Sequence, residues 1–172
     1  MAYVDFEGTV SWYKGFETNR DMGENLEEGS DTRNKIEAEQ GHYVCNVYIT
    51  PEVKKQMIAD GVPNSGMVGQ LFKEDADGNL FYKCKRPHFN TKVNQGEGKV
   101  FGPPVTVAAD GETWDTAIYD EDKKLVSGTP IGNGSKVKIR LDVWEKKIVT
   151  WHATKVLDLV EYEADETGLG GF

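Results

Sequence analysis

Apolar and polar residues alternate with period two over two long stretches, and both predict strands with one buried face. Near the start, Val4, Phe6, Val10 and Trp12 alternate with Asp5, Glu7, Thr9 and Ser11. Later, Val137, Ile139, Leu141 and Val143 face one way, while Lys136, Lys138, Arg140, Asp142 and Trp144 face the other. After Glu145-Lys146-Lys147 turns the chain, residues 148–160 run back as a final strand. Residues 42–49 (HYVCNVYI) are rich in aromatic and β-branched side chains and predict a further strand. Residues 67–73 and 79–86 predict a hairpin around Asp75-Ala76-Asp77-Gly78-Asn79. One short helix stands among these strands. Thr50 can cap it, Pro51 suits its first position, Glu52 suits its positive end and Gly61 stops it. Val53, Met57 and Ile58 would form its buried stripe.

The remaining segments lack a period. Residues 19–41 are polar and acidic and predict a long loop or partly disordered insertion. Residues 87–104 are a connection punctuated by Gly and Pro, and 113–134 are irregular. About five strands and one helix, without strand–helix alternation, predict a mainly β fold: a five-stranded antiparallel OB-fold barrel with one inserted helix. The predicted domain spans residues 1–160, followed by a mobile acidic tail over 161–172. The tail is too polar and glycine-rich to offset the entropy of ordering.

Composition adds the charge problem. The 172 residues hold 29 acids and 20 bases, a net charge of −9, which taken alone argues against a polyanionic partner. The distribution answers this. Residues 158–172 hold five acids and no base, and residues 1–40 carry −6, whereas residues 81–101 and 134–155 each carry +4. A basic surface is thus set inside an acidic protein. The start has neither a basic nor an apolar leader region, and no apolar run reaches a membrane span, so a cytoplasmic protein without membrane contact is expected. Two cysteines, Cys45 and Cys84, are too few for a disulfide framework and read as small buried apolar residues.

Both basic segments carry aromatics. In Phe81-Tyr82-Lys83-Cys84-Lys85-Arg86-Pro87-His88-Phe89, strand phase puts Leu80, Tyr82 and Cys84 on the core face and Phe81, Lys83 and Lys85 on the open face. The polar face of 136–144 repeats the arrangement with Lys136, Lys138, Arg140 and Trp144. Cations track phosphates and flat side chains stack under unpaired bases, so this pairing points to single-stranded nucleic acid. Arg86, Phe89 and Lys92, near the strand end, could extend the groove.

Other patterns carry less. His42–Cys45 and Cys84–His88 have zinc-like spacings, yet residues three apart on a strand point to opposite faces. Asp75-x-Asp77-Gly78-Asn79 begins like a calcium loop, but its glycine comes too early and the closing glutamate is missing, so a turn is expected. Gly132-Asn133-Gly134-Ser135-Lys136 has the wrong spacing for a phosphate loop and precedes a strand. No catalytic triad, metal or cofactor site is expected, and His152 reads as structural. The pattern leaves open whether Trp12 and Trp151 are core or surface.

Four stretches carry a likeness: VYITPEVKKQMIADGVP (47–63), FYKCKRPHF (81–89), FGPPVTVAADGETWD (101–115) with IGNGSKVKIRLDVW (131–144), and KVLDLVEYE (155–163) with the acidic, phenylalanine-terminated end. In these the chain resembles the single-stranded-DNA-binding proteins of tailed bacteriophages, the OB-fold group with an acidic C-terminal tail. The resemblance implies a non-enzymatic protein that coats transient single strands during phage DNA replication, recombination and repair. It implies that the tail, with Glu161, Glu163, Asp165, Glu166 and Phe172, contacts the phage DNA polymerase and helicase–primase and helps form a homodimer. It also implies that the tail occupies the DNA groove when DNA is absent, as a tethered polyanion would. The rival expectation is a phage interaction or structural scaffold without DNA binding.

Overall fold

In the computed structural model the residues described are 2–15, 20–64, 71–90, 98–102, 104–107, 131–145, 148–158 and 160. The expected tail at 161–172, Lys92 and most of 113–134 lie outside them. Among the described residues nine strands and two helices follow one another as β1 (Ala2–Lys14), α1 (Asp31–Ala38), β2 (His42–Tyr48), α2 (Pro51–Ala59), β3 (Phe72–Glu74), β4 (Leu80–Pro87), β5 (Phe89–Asn90), β6 (Lys99–Val100), β7 (Val105–Val107), β8 (Lys136–Trp144) and β9 (Ile148–Asp158).

Seven strands form one sheet in the order β3-β4-β2-β1-β8-β9-β7, and β5-β6 form a separate pair. The closed five-stranded barrel is therefore corrected in three ways. The sheet has seven strands, β7 pairs parallel with β9, and hydrogen bonding does not close the sheet among the described residues. The physical reason is edge occupancy. Closure would join β4 to β9, but β3 covers part of the free edge of β4 at Leu80–Tyr82, and β7 covers that of β9 at Ala153–Lys155. The two strands still approach, and the Arg86 guanidinium of β4 donates to the Trp151 carbonyl of β9 at 3.3 Å.

The core forms where the alternation predicts it. Val137, Ile139, Leu141 and Val143 of β8 are buried together with Tyr82 and Cys84 of β4 and Val4, Phe6 and Val10 of β1. Trp151 is fully buried, its indole N–H donating to Thr154 Oγ1 at 2.9 Å. Cys45 and Cys84 are free, buried and directly opposed across β2 and β4. Gly8 allows β1 and β2 to close up, since a Cβ there would run into the Tyr48 carbonyl and Val47.

Two local features depart from the sequence pattern. The first is α1, which lies inside the stretch expected to be a loop. Ser30 caps it by accepting from Arg33 N at 3.3 Å, but Ile36 alone of its residues is buried, too little to register as a helical period. The second is a bulge in β1 between Ser11 and Lys14. There Trp12 adopts φ 55° and is 59% exposed, while Tyr13 takes the core position. The extra residue of a bulge shifts the phase, so the alternation that holds from Val4 to Val10 fails at Trp12. α2 forms as expected, with Thr50 accepting from Val53 N at 3.2 Å and Met57 buried.

Candidate nucleic-acid interface

The turn at 75–79 sets the first part of the site. Asp75 Oδ1 accepts from the backbone N–H groups of Asp77 and Asn79, both at 2.9 Å, which folds β3 back onto β4. Those bonds, with one from the Tyr48 hydroxyl, hold the Asp75 carboxyl below the ordinary aspartate value. The hairpin places Lys73 opposite Phe81, and β2 places Tyr48, Asn46 and Val44 opposite Phe81, Lys83 and Lys85. One outward face therefore carries three rows: Lys73–Phe81–Tyr48, then Lys83–Asn46, then Lys85–Val44.

Phe81 and Tyr48 form a tilted aromatic pair with ring centroids 5.5 Å apart. The Tyr48 hydroxyl donates to Asp75 Oδ2 at 3.0 Å, which fixes its ring. Among the described residues no carboxylate lies within ion-pair distance of Lys73, Lys83 or Lys85. The ammonium of Lys83 is pushed below the ordinary lysine value by the surrounding protein and then by Lys73, with Asp21 acting in the opposite sense. That of Lys85 is lowered by desolvation, then by Lys83, Lys35 and Lys73, with Glu39 opposing. Mutually repelling cations, held together by the fold, form a positive surface that a polyanion would relieve.

The second expected strand is differently arranged. β8 is separated from β4 by β2 and β1, three strand spacings or about 14 Å along the sheet. Two of its three cations face acids of β1. Arg140 Nε and Nη2 bind both carboxylate oxygens of Asp5 at 2.9 and 3.0 Å, and its guanidinium lies over the Tyr3 ring at 5.2 Å. The Asp5 bonds raise the Arg140 pKa. Lys138 is opposite Glu7 on one side and Lys155 on the other. Lys136 is opposite Thr9 and Asp158. Trp144 is half-exposed at the end of the strand, opposite Ile148. Thus β4 and β8 are not neighbours in the sheet, and in the β8 row Arg140 is ion-paired.

Arg86 has its guanidinium committed. It donates to Gly102 O at 2.9 Å, Phe101 O at 3.1 Å and Trp151 O at 3.3 Å, and lies 5.2 Å from the Phe101 ring centre. This ties β4 to β9 and to the 101–102 segment. Phe89 lies in the separate β5–β6 pair, half-buried, with its N–H donating to Glu39 O at 2.9 Å.

The zinc-like spacings do not gather. His42 Nε2 bonds Glu39 at 2.9 Å, while His88 Nδ1 shares a hydrogen with the Tyr43 hydroxyl at 2.6 Å. Among the described residues no group of three or more His, Cys, Asp or Glu side chains is placed to hold a metal. No helix among them is long and apolar enough to cross a membrane.

Sequence reasoning missed Lys73, Tyr48 and Lys35. The phase of the hairpin about Asp75–Asn79 carried a signal for Lys73, whereas Tyr48 and Lys35 needed the long-range pairing.

No family model matches the sequence, and no curated protein matches it. Among solved structures the chain is similar to gp2.5, a single-stranded DNA binding protein encoded by bacteriophage T7. The identity is 17%, the TM-score 0.53, and the match covers 96% of this chain and 97% of that one. The chain therefore shares its overall fold with that phage protein.

Proposed function

We propose that the chain is a non-enzymatic single-stranded-DNA-binding protein, with its principal interface on the outward face of β3, β4 and β2. The observation that carries this is the set of Lys73, Lys83 and Lys85 around the Phe81–Tyr48 pair, with no ion-pairing carboxylate among the described residues. Unpaired bases stack on the aromatics and phosphates lie along the ammoniums. The fold shared with a phage single-stranded DNA binding protein supports the same reading. So does the order of the five long strands, β4-β2-β1-β8-β9, which fits an OB-type sheet whose ends approach without pairing. Lys136, Lys138, Arg140 and Trp144 add a weaker, partly neutralised second surface.

The finer role rests on the sequence resemblance. The protein coats transient single strands in phage replication, recombination and repair. The acidic tail, with Glu161, Glu163, Asp165, Glu166 and Phe172, competes with DNA for the lysine face. Once displaced, it recruits the polymerase and helicase–primase. Titration of the protein into labelled oligo-dT followed by fluorescence anisotropy, then incubation with added divalent metal, tests the core of this. Binding without cleavage is expected. An unchanged anisotropy favours the scaffold, and cleavage favours a nuclease.

A further inference from the structure

The Trp12 bulge is costly in two ways. A bulky residue other than glycine sits in the left-handed region at φ 55°, and a large apolar ring is turned to solvent, 59% exposed. Neither follows from packing, because Tyr13 fills the core position. The bulge is also held in place. The Trp12 N–H donates to Asn133 Oδ1 at 2.8 Å, across 121 residues of chain. Val10 N donates to Ser135 O at 2.8 Å and Gly134 N to Val10 O at 2.9 Å. The Gly132–Ser135 loop, which does not fit a phosphate loop, thus clamps β1 at this point. Backbone strain maintained by its surroundings marks functional positions.

The location gives the strain a use. Trp12 lies between Ser11, opposite Asn46, and Lys14, opposite Val44. Asn46 and Val44 are in turn opposite Lys83 and Lys85. The indole therefore flanks the lysine face two strands from β4, about 10 Å along β1 from the Thr9–Tyr48 row. We propose that Trp12 is a second stacking platform for an unpaired nucleobase, presented by the bulge, and that the strand crosses from Phe81 and Tyr48 past Lys83 and Lys85 to Trp12. This rests on the single-strand reading above and adds a path to it. The binding contribution is stacking, so it accepts any base and does not depend on salt.

The test uses the full chain and oligo-dT, with Trp12→Ala, Trp12→Phe, Trp12→Gly and Lys83→Ala/Lys85→Ala. Trp12→Ala should weaken binding by about five-fold to a hundredfold while the salt slope stays at the wild-type value. Trp12→Phe should retain most of the affinity but lose much of the fluorescence quenching. Trp12→Gly should melt above Trp12→Ala, because glycine accepts φ 55°, yet bind as poorly. Wild-type affinity in a folded Trp12→Ala, with Lys83→Ala/Lys85→Ala impaired, overturns the stacking role and leaves the single-strand reading intact. Failure of the wild-type protein to bind oligo-dT overturns both.

Discussion

Strands β4 and β8 carry the same letters and different surfaces. Each presents an aromatic and several cations on its outward face, and the sequence offers no reason to rank them. The sheet supplies it. β4 lies between β2 and the short β3, whose outward residues are Tyr48, Asn46, Val44 and Lys73, so its lysines gain another cation and no directly opposite acid. β8 lies beside β1, whose outward residues include Asp5 and Glu7, and these sit opposite Arg140 and Lys138. Whether a strand's cations are ion-paired depends on its neighbour: Arg140 of β8 is bound by Asp5, whereas Lys73, Lys83 and Lys85 have no ion pair among the described residues. Charge counted along a sequence does not separate the two.

The contrast can be broken by moving charge. Lys83→Ala/Lys85→Ala should cost the most binding, tenfold or more at low salt, whereas Lys138→Ala/Arg140→Ala should cost about threefold or less, as direct titration would read. Asp5→Asn/Glu7→Gln should do the reverse, tightening binding and steepening its salt dependence by releasing the β8 cations. No gain in that variant would mean that β8 is not near the strand. Arg86→Ala should be chiefly a stability change, about 2 kcal/mol by urea denaturation, because three carbonyls lose a charged donor. Arg86→Lys should not restore it, since one ammonium cannot span the fork. Removing residues 161–172 should tighten DNA binding by a few-fold at low salt and less at high salt. The smallest effect is with pH. The folded-state values of Lys83 and Lys85 lie below the ordinary 10.5, and bound phosphate would raise them. Affinity is therefore full below the lowered values and falls as pH climbs through them, before an ordinary lysine site would respond.

Much of this was legible in the sequence. The phase of residues 80–85 and 137–143 separated core from surface because alternation is a local property, and Tyr82, Cys84, Val137 and Ile139 are all buried. The Thr50 cap and the Asp75 turn were legible because side chain and backbone lie within four residues. What escaped was long-range. The neutralisation of Arg140 depends on pairing with Asp5, 135 residues away. The commitment of Arg86 depends on carbonyls at 101, 102 and 151. α1 was missed because one buried residue makes no stripe, and with it went Lys35, which acts on Lys85. Trp12 was ambiguous because a one-residue bulge reverses the pattern that predicts its direction.

The most direct measurement is the salt dependence of oligo-dT binding for wild type and Lys83→Ala/Lys85→Ala. If both ammoniums contact phosphate, the slope of log affinity against log salt should become shallower by about 1.4 in the variant. An unchanged slope in a folded variant would contradict the assignment of the β3–β4–β2 face as the nucleic-acid interface.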